Sequence, residues 1–143
     1  DTIGYGHKLS VKDERVGTLQ FGGLHYPLSE GVPDGIIEKL FEQDVLSAER
    51  RACEQWNEEE FPVNYVDLDT KYQLLLTEIV FNVGTLVSGD TWNWPKLAEA
   101  ILASNDPVVR RESVRSYLDP NTNQWVRLTK RTEIICDALG IYL

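Results

Sequence analysis

"LDTKYQLLLTEIVFNVG", residues 68–84, is the stretch that decides the fold of this chain. Leu68, Tyr72, Leu74, Leu75, Leu76, Ile79, Val80, Phe81 and Val83 put apolar groups on nearly every side of a helix. A helix apolar all round is a buried helix. Gly84 follows, and glycine takes the left-handed backbone that ends a helix without steric penalty. The stretch predicts a central helix with other elements wrapped around it.

Upstream, residues 2–26 read as β structure. "VGTLQF" and "LHYPLS" flank Gly22-Gly23, a two-residue hairpin signal. The period then changes: Ile37, Leu40, Phe41, Val45 and Ala48 recur at three and four, which predicts an amphipathic helix over about residues 35–55 with Asp34 as its cap. "EEEFPVNYVD" is a polar, proline-containing break. Downstream, "NWPKLAEAILA" reads as a short helix, and "DPVVRRESVRSYL" as another with Asp106 as cap and Pro107 in its first turn. "NQWVRLTKRTEIICDALG" closes the set as a helix stopped by Gly140. Strands segregated from helices give an α+β fold. The layout is a single domain over 1–143: a small β lobe over about 1–33, a connecting helix over about 34–56, and a mainly helical lobe over about 57–143 around the buried central helix.

Composition narrows the function classes. The chain has 143 residues, 42% of them hydrophobic and 26% charged, ordinary values for a globular domain. No apolar run has the length of a membrane span. The net charge is −9 but unevenly placed: residues 30–69 hold twelve Asp/Glu and three Lys/Arg, whereas 110–131 hold six Lys/Arg and two Asp/Glu. That acidic balance argues against nucleic acid as a partner. The local basic stretch could be a solvated face or could meet an anionic polymer. Cys53 and Cys136 stand apart with no CxxC pairing, as expected of free thiols. With His7 and His25 as the only histidines, a zinc site is poorly supported, and no metal or cofactor is expected.

"TIGYGHKLS" at residues 2–10, taken with this layout, resembles the phage lysozyme family of the T-even type, the muramidase endolysins. "EKLFEQDVLSAERR" is similar to that family's inter-lobe helix, "LDTKYQLLLTEIVFNVG" to its buried central helix, and "SYLDPNTNQWVRLTKR" to the aromatic turn and basic helix near its C-terminus. The resemblance covers nearly the whole chain and implies a lysozyme-like α+β fold. It also implies hydrolysis of the β-1,4 bond between N-acetylmuramic acid and N-acetylglucosamine in peptidoglycan. Such hydrolysis generally uses one carboxylic acid to protonate the leaving oxygen and a second carboxylate across the sugar.

The family spaces a Glu, an Asp and a Thr in that order, and its Thr matches Thr2 as the catalytic residue of this chain. The catalytic Glu and Asp are then expected upstream of Asp1, by about fourteen and about five residues. Asp1, adjacent to Thr2, has the wrong spacing to take either role. The resemblance assigns Gly4 and Gly6 to backbone approach of a saccharide, and Asn82 to an amide facing the substrate. It makes His7 and Asp44 a structural ion pair. Arg127 and Arg131, four apart, read as one helix face that either contacts anionic peptide stems or stays solvated. Trp92, Trp94 and Trp125 could stack on sugars, but core packing is the commoner use of a large aromatic.

The expected partners are peptidoglycan glycan strands, with a larger phage tail or virion assembly as a further possibility that the acidic charge fits. Synthesis would be in the host bacterial cytoplasm and action on periplasmic peptidoglycan, by release at lysis or carriage on the virion. Two rivals stay open: a lytic transglycosylase, which leaves anhydro-sugar products, and a non-catalytic cell-wall-binding or phage structural module.

Overall fold

Gly22 and Gly23 take φ of 61° and 78°, the backbone that a two-residue hairpin turn needs and that other residues resist. The turn joins β3 (Thr18–Phe21) to β4 (Leu24–Pro27), paired antiparallel with Leu19 opposite Tyr26. This computed structural model describes the backbone of Thr2–Ile3 and His7–Lys8, Glu14, and residues 17–143. The first two segments form β1 and β2, an antiparallel pair with Thr2 opposite Lys8. Of the residues singled out in the sequence, Gly4, Gly6 and the side chains of Thr2 and His7 lie outside what is described. The same holds for the His7–Asp44 pairing.

Two units emerge, Asp1–Ser47 and Ala48–Leu143, with their boundary inside one helix, α1 (Asp34–Glu58). In the first unit Leu19 and Leu40 are buried, with Phe21, Tyr26, Leu28, Val32 and Ile36 packed against them. Ile36 and Leu40 are four apart, so the first turns of α1 present that stripe to the hairpin. The second unit takes over the same helix four residues at a time, burying Ala48, Ala52 and Trp56.

Trp56 is fully buried, with its ring centroid 4.3 Å from that of Phe61 and 5.8 Å from that of Trp92, the latter edge-on. Its Nε1 donates to the Val63 carbonyl at 2.8 Å, so the indole carries no orphan donor into the core. Trp92 sits on a small hairpin absent from the sequence reading, β5 (Val87–Ser88) with β6 (Thr91–Trp92).

The central helix is α2 (Thr70–Val83). The Asp69 side chain caps its start by accepting from the Lys71 amide. Gly84 ends it in the left-handed conformation at φ 98°. Tyr72, Leu75, Leu76, Ile79 and Val80 are buried as expected. The expectation of burial on all sides is corrected at Leu74 and Val83, which are half exposed. Leucine on a helix reports hydrophobicity, and only tertiary packing decides which of three consecutive leucines faces inward. The α1 helix holds the far end of α2: Arg51 Nη1 donates to the Gly84 carbonyl at 2.8 Å, and Gln55 bonds both Thr85 and the Leu86 amide.

Two further helices, α3 (Pro95–Leu102) and α4 (Asp106–Glu112), each start with proline in the first turn. The helix expected over 106–118 stops at Glu112. Ser116–Asp119 and Gln124–Arg127 instead form β7 and β8, an antiparallel hairpin. Asp119 turns that hairpin by accepting from the Asn121 amide at 2.9 Å. The last helix, α5 (Thr129–Leu139), therefore begins after the strand and ends at Gly140.

Asp106 is not the cap of α4. Asn105 occupies that position, and Asp106 bonds Lys71 Nζ at 2.7 Å and the Tyr72 hydroxyl. Partial burial pushes the Asp106 carboxyl up, but the hydrogen bonds from Lys71 and Tyr72 outweigh it and hold its pKa below the ordinary 3.8. The architecture is α+β, with helices around α2 and small antiparallel hairpins.

Two outcomes check this core. Leu75→Ala should lower unfolding free energy by about 2–5 kcal/mol in urea titration, as for a truncated core leucine. Leu74→Ala should stay within about 0.5 kcal/mol, as at an exposed site. Because the folded pKa of Asp106 is depressed, its stabilisation is complete above the unfolded value and drains away as pH falls through the folded one. Asp106→Asn should therefore flatten the acid limb of the stability profile below about pH 4.

Candidate functional site

The most developed polar arrangement among the described residues starts from the last turns of α2. Glu78 and Asn82 are four apart, hence on one helix face. Asn82 Nδ2 donates to the Glu78 carbonyl at 3.0 Å and to Glu78 Oε1 at 2.8 Å. Glu78 Oε2 accepts from Arg115 Nη2 at 2.6 Å, and Asn82 Oδ1 accepts from Arg131 Nη2 at 3.1 Å. The chain of contacts runs Arg115–Glu78–Asn82–Arg131, linking the segment before β7, α2 and α5.

Burial divides the labour within this chain. The Arg115 and Glu78 side chains are only 11% and 20% exposed, so their pairing is a partly buried, charge-assisted contact. Arg115 Nη1 is buried with no hydrogen-bond partner, which leaves the guanidinium dependent on Glu78. Asn82 and Arg131 are exposed. Both amide hydrogens of Asn82 are occupied by Glu78, but its oxygen retains a lone pair, and Arg131 keeps most of its five donors.

Asn82 and Arg131 line a cavity of about 350 Å³ with Val83, Trp94, Val114, Arg115, Ser116 and Leu128. Trp94 is partly buried against the core. The cavity thus offers an indole, an amide oxygen and two guanidinium groups, a donor-rich lining suited to ligands carrying hydroxyl, carbonyl or carboxylate oxygens.

Arg127 lies elsewhere. It is on β8, not on a helix with Arg131, and lines a second cavity of about 320 Å³ with Arg110, Arg111, Thr129 and Glu133. The error came from extending the helix period of α5 backwards through "NQWVR", where alternation at two governs instead. In this second cavity Arg110 is tied down by Asp137 at 2.7 Å and the Ile141 carbonyl at 2.8 Å, while Arg111 contacts Glu112 at 3.3 Å. Arg127 makes no hydrogen bond or ion pair among the described residues.

Of the three tryptophans weighed in the sequence, Trp92 and Trp94 pack against the core as favoured, and Trp125 does not. Trp125 is 71% exposed on β8. Sequence reasoning also passed over Glu78 and Arg115. A carboxylate four residues before Asn82 on the same helix was the available signal for Glu78. Arg115 had none, because its partner is 37 residues away in the chain.

No group of three or more potential metal-ligating side chains lies together among the described residues. Among the described residues, no helix is long and apolar enough to cross a membrane. No protein-family model, curated protein or solved structure matches this chain.

The network makes a distinct energetic prediction. Glu78→Ala strands the Arg115 charge and should cost about 1–3 kcal/mol of stability, less than a fully buried pair because both groups keep some water. Asn82→Ala, at the exposed end, should change stability by less than about 0.5 kcal/mol. Chemical denaturation of both variants gives the comparison.

Proposed function

We propose that this chain belongs to a peptidoglycan muramidase that cleaves the β-1,4 bond between N-acetylmuramic acid and N-acetylglucosamine during a phage life cycle. The observation that carries the proposal is the pairing of Asn82 with Arg131 at the rim of the 350 Å³ cavity. Asn82 is the amide that the family resemblance assigns to substrate, and Arg131 belongs to the basic helix of the same resemblance. Supporting it further, the buried helix that carries Asn82 ends at Gly84 and is gripped there by α1. A saccharide ligand meets a rigid rather than a mobile surface.

In this reading the carboxylates that perform acid and nucleophilic or base chemistry stand upstream of Asp1. Thr2 helps to hold the attacking water or the sugar. Asn82 and Arg131 orient the glycan, the amide through its remaining lone pair and the guanidinium through its free donors. In this reading neither supplies the proton or the carboxylate that breaks the bond: they position the strand, and positioning is itself worth a large part of a glycosidase's rate. The enzyme would be made in the host cytoplasm and reach periplasmic peptidoglycan at lysis or on the virion, in which case a tail or virion assembly is its second partner.

Turbidity of a peptidoglycan suspension tests the proposal. Residues 1–143 alone should give no clearing, since general acid catalysis contributes roughly 10²–10⁴-fold and its donor would be missing. A chain extended upstream through the expected Glu and Asp should clear the suspension and release new reducing ends. Asn82→Ala in the extended chain should slow clearing while the fold persists. Anhydro-sugar products would replace hydrolysis with transglycosylation, and an extended chain that binds without clearing would make this a wall-binding module.

A further inference from the structure

The hairpin β7–β8 presents two unlike faces. Side chains alternate across a strand, and directly opposed residues share a face. The register pairs Leu118 with Trp125 and Ser116 with Arg127, so these four residues line one side. Tyr117 and Val126, also opposed, line the other.

The first side is ordered by chemistry. At the turn end stands an apolar pair, Trp125 at 71% and Leu118 at 45% exposed. At the base stands Arg127, which opens onto the 320 Å³ cavity. Opposed across the register, the two form a paired apolar surface open to water. Trp125 has no ring partner among the described residues. Two residues further along the strand, about 7 Å away, the Arg127 guanidinium is unpaired. Its neighbours Arg110 and Arg111 are each engaged by a carboxylate, and Glu133 is the acidic group on the cavity wall. Arg127 is therefore the cation of this cluster left to meet an external anion.

We propose that this face is a glycan subsite selective for sugars that carry a carboxylate. The apolar face of a pyranose lies on the Trp125 indole beside Leu118, and a carboxylate borne by that ring or its neighbour meets Arg127. Guanidinium and carboxylate form a charge-assisted contact of matched geometry. The inference rests on the peptidoglycan reading above and deepens it. N-acetylmuramic acid differs from N-acetylglucosamine by an ether-linked lactyl group whose carboxylate is free once stem peptides are removed. The subsite uses residues separate from Asn82 and Arg131, so it contributes affinity and register rather than chemistry.

The test compares two soluble probes of equal length, amidase-treated peptidoglycan strands and neutral chito-oligosaccharides, titrated into the 143-residue chain and followed by the NMR signal of the Trp125 indole. Both probes should shift that signal, the acidic strands binding roughly two- to fivefold more tightly, the gain of an exposed charge pair, and losing that gain in high salt. Arg127→Gln should equalise the two probes, and Trp125→Ala, whose binding is followed by titration calorimetry, should weaken both. Circular dichroism should show both variants folded, as expected of exposed substitutions. Equal affinity for the two probes in the native chain, or a preference that survives Arg127→Gln, would overturn the proposal. So would an indole signal unmoved by either probe. Clearing by the upstream-extended chain separates the two readings. Clearing without Trp125 involvement removes the subsite and keeps the hydrolase. Carboxylate-selective binding without clearing keeps the subsite and removes the hydrolase.

Discussion

Everything in the larger unit depends on covering α2. Leu75, Leu76, Ile79 and Val80 point in several directions from one helical segment, and each must be removed from water by a different neighbour. Ala48, Ala52 and Trp56 of α1, Leu97 and Ile101 of α3, Val109 of α4, and Cys136 of α5 supply the cover within one continuous core. Small residues at 48 and 52 let backbones approach, and Trp56 then fills the wider space where α1 ends. A helix buried this way cannot shift along its axis without opening several contacts at once. That rigidity is what makes Glu78 and Asn82, on its last turns, useful as an anchor for Arg115 and Arg131.

Polar contacts complete the fixation at both ends of α2. At the start, Asp69 caps the helix and Asp106 ties Lys71 and Tyr72 to the beginning of α4. Burial pushes the Tyr72 hydroxyl well above its ordinary range, and the Asp106 carboxylate beside it adds to that, so the group stays protonated and donates. At the end, α1 satisfies the Gly84 carbonyl and the Leu86 amide with Arg51 and Gln55. Tyr65 fastens the middle through the Gln73 carbonyl and the Thr77 hydroxyl.

How far the sequence showed this depends on the length scale of the signal. The long helices were legible because their periodicity runs over many turns, and Gly22-Gly23, Gly84 and Gly140 marked stops by their backbone freedom. The hairpin β7–β8 was not. "VRSYL" follows a strong helix start at Pro107, and nothing local says that the helix fails after Glu112. The Asp119–Asn121 turn and the alternation of "QWVR" were the contrary evidence, outweighed by the helical pattern on both sides. That one misreading carried two others, the burial of Trp125 and the pairing of Arg127 with Arg131. Of the candidate site, Asn82 and Arg131 were visible as residues and the link between them was not. The contact spans 49 positions and arises only when α5 packs against α2.

The two cysteines acquire different characters from this packing. Cys136 is fully buried, and its surroundings push the thiol pKa up, burial most of all. The thiolate, which is the reactive form, is thereby suppressed as well as shielded. Cys53 sits on α1 with part of its surface open, accepting from Asn57 at 3.5 Å. Alkylating reagents therefore meet one addressable sulfur in the native protein, and modification of the second becomes a clock for opening of the helical core. The chain carries, without any engineering, a labelling position on its longest helix and an internal reporter of its own unfolding.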